Sequence, residues 1–360
     1  MNELKKLRPG VSVIVPVYNV SPFVRQCLNS ILSSNLQELQ IIVVDDHGSD
    51  NSMDIVREMA NGDNRIEIIV NDRNRGLAYS RNHGLRAVKN THVAFLDSDD
   101  WVSADFYEKL YKAALREDAD IAVGNVLYTY PDTGIKREEW VSWWSFHSGN
   151  TLLTTISEKQ DIIYACACWN KVYKTEFIRN NCLHFPENLF IEDVPFTFLS
   201  TALSNRITMV KEAMHFYRQR PNSIMKDLKT SKRIFDVFKI MDICYKLLLK
   251  IPVDKREEYR KILDHFWIFN LQSWSTAVSD QDYQSFIDET KSRLRGIDIT
   301  GNSYITPEHA QMYKEIVGQQ ECYKALLFCC IPICIVRLRK LFKNPCYQAG
   351  WNKNVPFSFS

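Results

Sequence analysis

Short apolar runs that end in aspartate constrain this chain more than any other feature. Val11-Ser-Val-Ile-Val15 is stopped by Pro16, and Ile41-Ile-Val-Val44 ends in Asp45-Asp46. Ile66-Glu-Ile-Ile-Val70 follows, and His92-Val-Ala-Phe-Leu96 runs into Asp97-Ser98-Asp99-Asp100. Between these runs the apolar residues recur at helical spacing. Ser21-Pro22 reads as an N-cap followed by proline at the first helical position, ahead of Phe23, Val24, Cys27, Leu28, Ile31 and Leu32. Further helices are expected over about 51–59, 76–88 and 104–116, with a strand at 121–123. Strands separated by helices build βαβ units and a mostly parallel sheet, whose ligands bind beyond the carboxyl ends of the strands. The aspartates therefore stand where chemistry belongs.

Of the 360 residues, 45% are hydrophobic and 24% charged, a globular mix that excludes disorder, collagen and coiled coil. Lys plus Arg (45) nearly balance Asp plus Glu (43), so a generally basic nucleic-acid binder is excluded. Ten cysteines are too few for a disulfide scaffold of this length, and Cys166 and Cys168 read as structural thiols on one face of a strand. The first ten residues lack the apolar core of a secretory leader, and no apolar run approaches a spanning helix. A cytoplasmic protein is expected. Residues 126–225 carry a mixed signal, with Trp140, Trp143 and Trp144 in an unassignable segment. Beyond Ser231 the pattern is helical, over 234–248 and 259–274.

Crowded carboxylates repel one another and need a cation or strong hydrogen bonds. Asp97 and Asp99 near one strand end suit a hard divalent ion, Mg²⁺ or Mn²⁺, which completes its shell with water and substrate phosphates. For an Asp pair alone, a turn and helix cap is the plainer reading; two clusters ending two strands of one sheet favour the ion. No glycine loop for phosphates follows the first strand. A diphosphate would be neutralised by the ion and by Arg81, Lys171, Arg218 or Arg220, each of which alone also reads as a surface charge.

In order and spacing, Val13-Ile-Val-Pro-Val-Tyr-Asn19, Val43-Val-Asp-Asp-His-Gly-Ser-Asp50, Gly76-Leu-Ala-Tyr-Ser-Arg-Asn82 and Phe95-Leu-Asp-Ser-Asp-Asp100 resemble the family 2 glycosyltransferases of GT-A fold. Trp169-Asn-Lys-Val-Tyr173, Phe185-Pro-Glu-Asn-Leu-Phe-Ile-Glu-Asp193 and Tyr217-Arg-Gln-Arg-Pro-Asn-Ser-Ile224 are similar to the acceptor-side signatures of bacterial polysaccharide-building members. The resemblance implies an α/β GT-A domain over 1–225, with a nucleotide-binding part at about 10–125 and an acceptor-side part at about 126–225, then a mainly helical region over 226–360. It implies a nucleotide-sugar donor, usually UDP-linked, a saccharide or lipid-linked saccharide acceptor, and inversion at the anomeric carbon. Pro16, Tyr18 and Asn19 would line the nucleoside pocket, Asp46 would bind the base, and Arg81 would border the nucleotide. Ser98, Lys171, Trp169, Arg218 and Arg220 would complete the donor site. Asp97 and Asp99 match the DxD motif, with Asp99 first for the metal and Asp100 next. Asp193 falls at the catalytic base, with Glu192 beside it. His47 departs from the common pattern, so the usual loop length requires Ser49-Asp50 still to cap the next helix.

Trp169 suits stacking on a sugar ring, against a core or interface role. His184 and His215 read as satisfied structural histidines, with a metal or diphosphate contact the alternative for His215. Ala325–Val336 is apolar and is followed by Arg337, Arg339, Lys340 and Lys343. It is too short to span a bilayer, and 325–343 suits docking at the inner face of the cell membrane, against packing on protein. Two rival functions are a nucleotidyltransferase, which usually needs a glycine- and basic-rich loop after the first strand, and a non-catalytic sugar-nucleotide-binding subunit.

Overall fold

The computed structural model describes residues 6–130, 139–141, 151–220, 232–275, 278–299, 301–305 and 307–318. Trp143, Trp144, the expected boundary near 225 and the tail segment 325–343 lie outside them.

The first half alternates as its periodicities demand: β1 (Arg8–Val17), α1 (Val24–Leu32), β2 (Leu39–Asp45), α2 (Ser52–Gly62), β3 (Ile66–Val70), α3 (Leu77–Arg86), β4 (Asn90–Phe95), the short β5 (Trp101–Val102) and α4 (Phe106–Arg116). The expected cap of α1 is not used: the helix starts at Val24, and the Ser21 backbone N–H donates to Asp50 Oδ2 at 2.8 Å. Next come β6 (Ile121–Thr129), β7 (Glu139–Val141), β8 (Thr151–Thr154), β9 (Lys171–Lys174), α5 (Thr175–Asn180), α6 (Asp193–Leu203) and β10 (Ile207–Arg218). Cys166 and Cys168 are not in a strand but in the loop entering β9.

One ten-stranded sheet has the order β3-β2-β1-β4-β9-β6-β10-β5, with β7 on β6 and β8 on β10. β1 pairs in parallel with β2 and β4, and β6 with β10. β9 runs antiparallel between β4 and β6. Both faces are covered, which is why the strands read as unbroken apolar runs. Val11, Val13, Val15, Ile41 and Val43 pack with α1, α2 and α4, while Ile14, Ile42, Val44, Val93 and Phe95 face the other way. That second core continues through Phe185, Phe196 and Tyr173 into α7 (Asp236–Leu247), α8 (Val253–Ser275), α9 (Tyr283–Leu294) and α10 (Pro307–Gly318). Gly84 of α3 lets this helix lie on β1, since a Cβ there would come within 2.5 Å of Ile14 Cγ2.

The strand order turns back between β1 and β4, and at such a switch point a crevice opens. Pro16 helps to open it. Ile14 O accepts from Leu96 N–H at 3.0 Å, and alternation puts the Pro16 nitrogen on the same edge, where β4 has ended and no donor is needed. No helix of the described residues is long and apolar enough to cross a membrane.

Candidate active site

Three loops on the β1–β2 side of the crevice are tied by short-range polar contacts. Asn19, at φ +51°, accepts the Ser49 backbone N–H on Oδ1 at 2.7 Å. Asp50 Oδ1 accepts Ser52 N–H (3.0 Å) and Ser52 Oγ–H (2.5 Å), so the loop does close onto α2. His47 fits by taking φ +56° and placing Nε2 2.5 Å from Asn71 O. Tyr18 projects from the end of β1, 48% exposed. Asp46, expected to bind the base, is buried and spends its carboxylate on the chain: Oδ1 accepts Asn71 Nδ2 and Arg75 N, both at 2.7 Å, and Oδ2 accepts Gly76 N at 2.9 Å. That grip fixes the turn into α3, where Gly76 adopts φ +82°.

Arg81 joins the two ends of the site. From the middle of α3 it sends Nη2 to Asp97 Oδ1 at 2.7 Å and Nη1 to Glu192 Oε1 at 2.5 Å, with its side chain 2% exposed. The next residue, Asn82, donates to Phe185 O and accepts from Phe185 N, both at 2.9 Å. One turn of α3 thus fastens the 185–193 loop to the DxD end of β4 across more than 100 residues. Asn71 and Asn82 were not singled out from sequence; both stand within or beside quoted motifs, but nothing local shows what they reach.

Asp193 opens α6, next to Glu192. Burial, then the neighbouring Glu192 charge, push its pKa up to about 7, while Arg81 opposes the rise. Burial likewise raises Glu192 against the pull of Arg81. Asp193 is thus a carboxyl poised near neutrality, suited to accept a proton.

Asp97 and Asp99 are partly exposed (23% and 19%) and each faces a guanidinium, Asp99 Oδ2 meeting Arg220 Nε at 2.8 Å. Burial raises the Asp99 pKa, Arg220 opposes this, and Asp97 adds to it. Ser98 is buried between them. Asp100, the next metal candidate, is engaged by protein partners: it is 1% exposed, and its oxygens are taken by His215 Nε2 (3.0 Å) and Arg218 N–H (2.8 Å). Burial lowers the His215 pKa to about 3, so the ring is neutral and structural. His184 is exposed, with Nδ1 3.0 Å from Cys182 O.

Lys171 also leaves the donor set. It is 2% exposed, and Nζ donates to Ala165 O (2.8 Å), Ala167 O (2.5 Å) and Asn170 Oδ1 (2.9 Å). Burial lowers its pKa to about 8. Its three donors are spent on the loop that carries Trp169. That indole stacks on His215 (4.3 Å between centroids) and Tyr217 (5.2 Å). His215 and Tyr217 are two apart on β10 and share a side of the sheet, and the partly buried indole packs with them beside Val126 and Tyr128. Arg218 sends Nε to Asp99 O at 2.8 Å and lies over Trp101 and Phe23.

Among the described residues no three His, Cys, Asp or Glu side chains gather to hold a metal. Two partly exposed carboxylates nonetheless fit an ion that takes its remaining ligands from water and phosphate.

Known proteins share this fold. The profile described as glycosyl transferase family 2 matches residues 12–179. EpsH of Bacillus subtilis (strain 168), whose name describes a glycosyltransferase of unproven activity, is 30% identical over 280 residues, 75% of this chain and 79% of EpsH. Glycosyltransferase GlyA of Streptococcus pneumoniae serotype 4 is 29% identical over 79% of this chain, which spans 41% of GlyA. In structure, TarS 1–349 of S. aureus in complex with UDP-GlcNAc superposes with a TM-score of 0.67 at 21% identity, covering 79% of this chain and 81% of that one. The mannosyltransferase PcManGT of Pyrobaculum calidifontis, in complex with GDP-Man and Mn²⁺, gives 0.51 at 14% identity over 86% of this chain and 85% of its own. These structures establish the GT-A architecture. The profile match over the motif-bearing strands, and a relative matched over most of its own length, place the chain in glycosyl transferase family 2.

Proposed function

We propose that the protein transfers a sugar, with inversion, from a nucleoside-diphosphate sugar to a hydroxyl of a saccharide or lipid-linked saccharide during bacterial polysaccharide synthesis. A UDP-linked donor is favoured, as in the TarS complex with UDP-GlcNAc. One observation carries the reading: Arg81 bridges Asp97 and Glu192, and Asp193 is the residue next to Glu192.

The nucleoside would enter between the β1 and β2 ends, past Tyr18 and Asn19. Asp97 and Asp99 would hold Mn²⁺ or Mg²⁺, and the ion would supply charge neutralisation for the departing diphosphate. Arg220, at the same carboxylates, stands ready for the phosphates. Asp193 takes the proton of the acceptor hydroxyl as that oxygen attacks the anomeric carbon from the face opposite the diphosphate. Arg81 keeps Glu192 paired, so that the neighbouring Asp193 is the carboxyl left to titrate. The partly exposed indole of Trp169 suits the C–H side of the acceptor's ring. The apolar and basic pattern of 325–343 supports contact with the inner face of the membrane. Flotation of the full chain, but not of residues 1–320, with anionic vesicles would bear that contact out.

Asp193→Asn tests the base directly. Turnover should fall on the order of 10²–10⁴-fold, with the Kd for UDP nearly unchanged. Near-normal transfer by this variant removes Asp193 from the mechanism.

A further inference from the structure

The two DxD carboxylates face counter-ions of different kinds. Arg81, against Asp97, is part of the frame: it is buried in α3 and holds two carboxylates at once. Arg220, against Asp99, is not. Among the described residues its ion pair is Nε to Asp99 Oδ2 at 2.8 Å, and its alignment is poor enough that this buried Nε makes no hydrogen bond there. Its guanidinium lies 5.4 Å from the centre of the Phe23 ring, while Arg218 lies 4.8 Å from the same ring. Arg218 is held there by Asp99 O and Gln26 Oε1. Two cations therefore share one aromatic ring, one fastened by directed hydrogen bonds and the other held by charge.

We propose that Arg220 is a tethered counter-ion of Asp99, which a divalent cation must displace and to which the donor's diphosphate offers a new partner. This inference rests on the glycosyl-transfer reading and concerns the order in which that site fills. A guanidinium stays charged at any working pH, so Asp99 is neutralised before any metal arrives. In the free protein a divalent ion gains Asp99 only by leaving Arg220 unpaired beside Arg218 and the ion itself, a like-charge cost in a half-buried place. With a nucleoside diphosphate present, the displaced guanidinium meets phosphate oxygens, which it binds in a planar, two-pronged way. Cation and diphosphate thus bind cooperatively, and by linkage each strengthens the other equally.

The test is Mn²⁺ uptake by the full chain, read from loss of the free-ion signal in electron paramagnetic resonance, with and without UDP or GDP. The wild-type protein should take up Mn²⁺ about tenfold or more tightly with the nucleotide than without it, within the usual range of such coupling. Arg220→Gln, and Arg220→Met, which keeps an aliphatic contact with Phe23, should each bind Mn²⁺ alone about fivefold or more tightly than wild type and lose most of the coupling. Unchanged Mn²⁺ affinity in either neutral variant, with native circular dichroism, overturns the proposal and leaves the glycosyl-transfer reading standing. Wild-type protein that takes up no Mn²⁺ with either nucleotide overturns the metal reading of the site, and the proposal with it.

Discussion

The two sides of the crevice are built differently. On the β1–β2 side each loop is tied to residues close in sequence or on the adjoining strand: Asp50 to Ser52, Asn19 to Ser49, Asp46 to the 71–76 turn. On the base side the loops are held from far away. Asn82 fixes Phe185, Arg81 fixes Glu192, and Asp236 Oδ2 accepts Phe190 N–H at 3.2 Å. The proposed donor loops are therefore carried by strand ends that form with the sheet, whereas the placement of the proposed base depends on the assembled molecule. Damage to the second side should reach catalysis without reaching nucleotide affinity.

The Asp193 substitution sharpens that contrast most, since it should separate turnover from UDP binding by the largest factor. Arg81→Met strikes the one side chain common to both sides. Leaving Asp97 and Glu192 without their shared cation should cost on the order of 3–5 kcal/mol in stability and weaken both functions, read by urea denaturation and UDP titration. If UDP affinity survived in folded protein, the two sides would be less joined than the bridge implies. Asn82→Ala leaves the Phe185 backbone N–H and C=O without partners. The expected loss is about 1–3 kcal/mol, with kcat lowered and the Kd for UDP unmoved; a rise in that Kd would break the comparison.

pH offers a subtler probe. Because the folded-state pKa of Asp193 is raised to about 7, transfer should fall as pH drops below neutrality, and Asp193→Asn should flatten that limb. Stability runs the other way. Between the unfolded value near 4 and about 7 the folded state holds the extra proton, so this group costs stability as pH rises through that window. Asp193→Asn should consequently raise Tm by roughly a few degrees at pH 7.5 and by nothing measurable at pH 4. The smallest effect belongs to Trp169→Ala, which should raise the acceptor KM while sparing hydrolysis of the nucleotide sugar to UDP and free sugar in the absence of acceptor.

The same contrast decides what could be read in advance. β-branched runs closed by Pro16, Asp45 and Asp97 announce strands and the rim where they end, because those signals are local in the chain. The motif order carried the family. The partners of Asp100 and Lys171 were not legible for one reason: at a strand end a charged residue reads the same whether it points into the crevice or is held by backbone and histidine partners. Asn71 and Asn82 escaped notice because a hydrogen bond to Asp46 or Phe185 leaves no trace in spacing. Cys166 and Cys168 suggested a strand by alternation, yet Lys171 gathers the carbonyls around them into a loop.

The reversed direction of β9 has a consequence of its own. Its register sets Lys171 opposite Val123 of β6, so the chain comes back into the sheet beside the place where it left. Between those anchors the rest of β6, with β7 and β8, still pairs within the sheet. A graft of this stretch from a relative therefore has to keep those pairings if the sheet is to close.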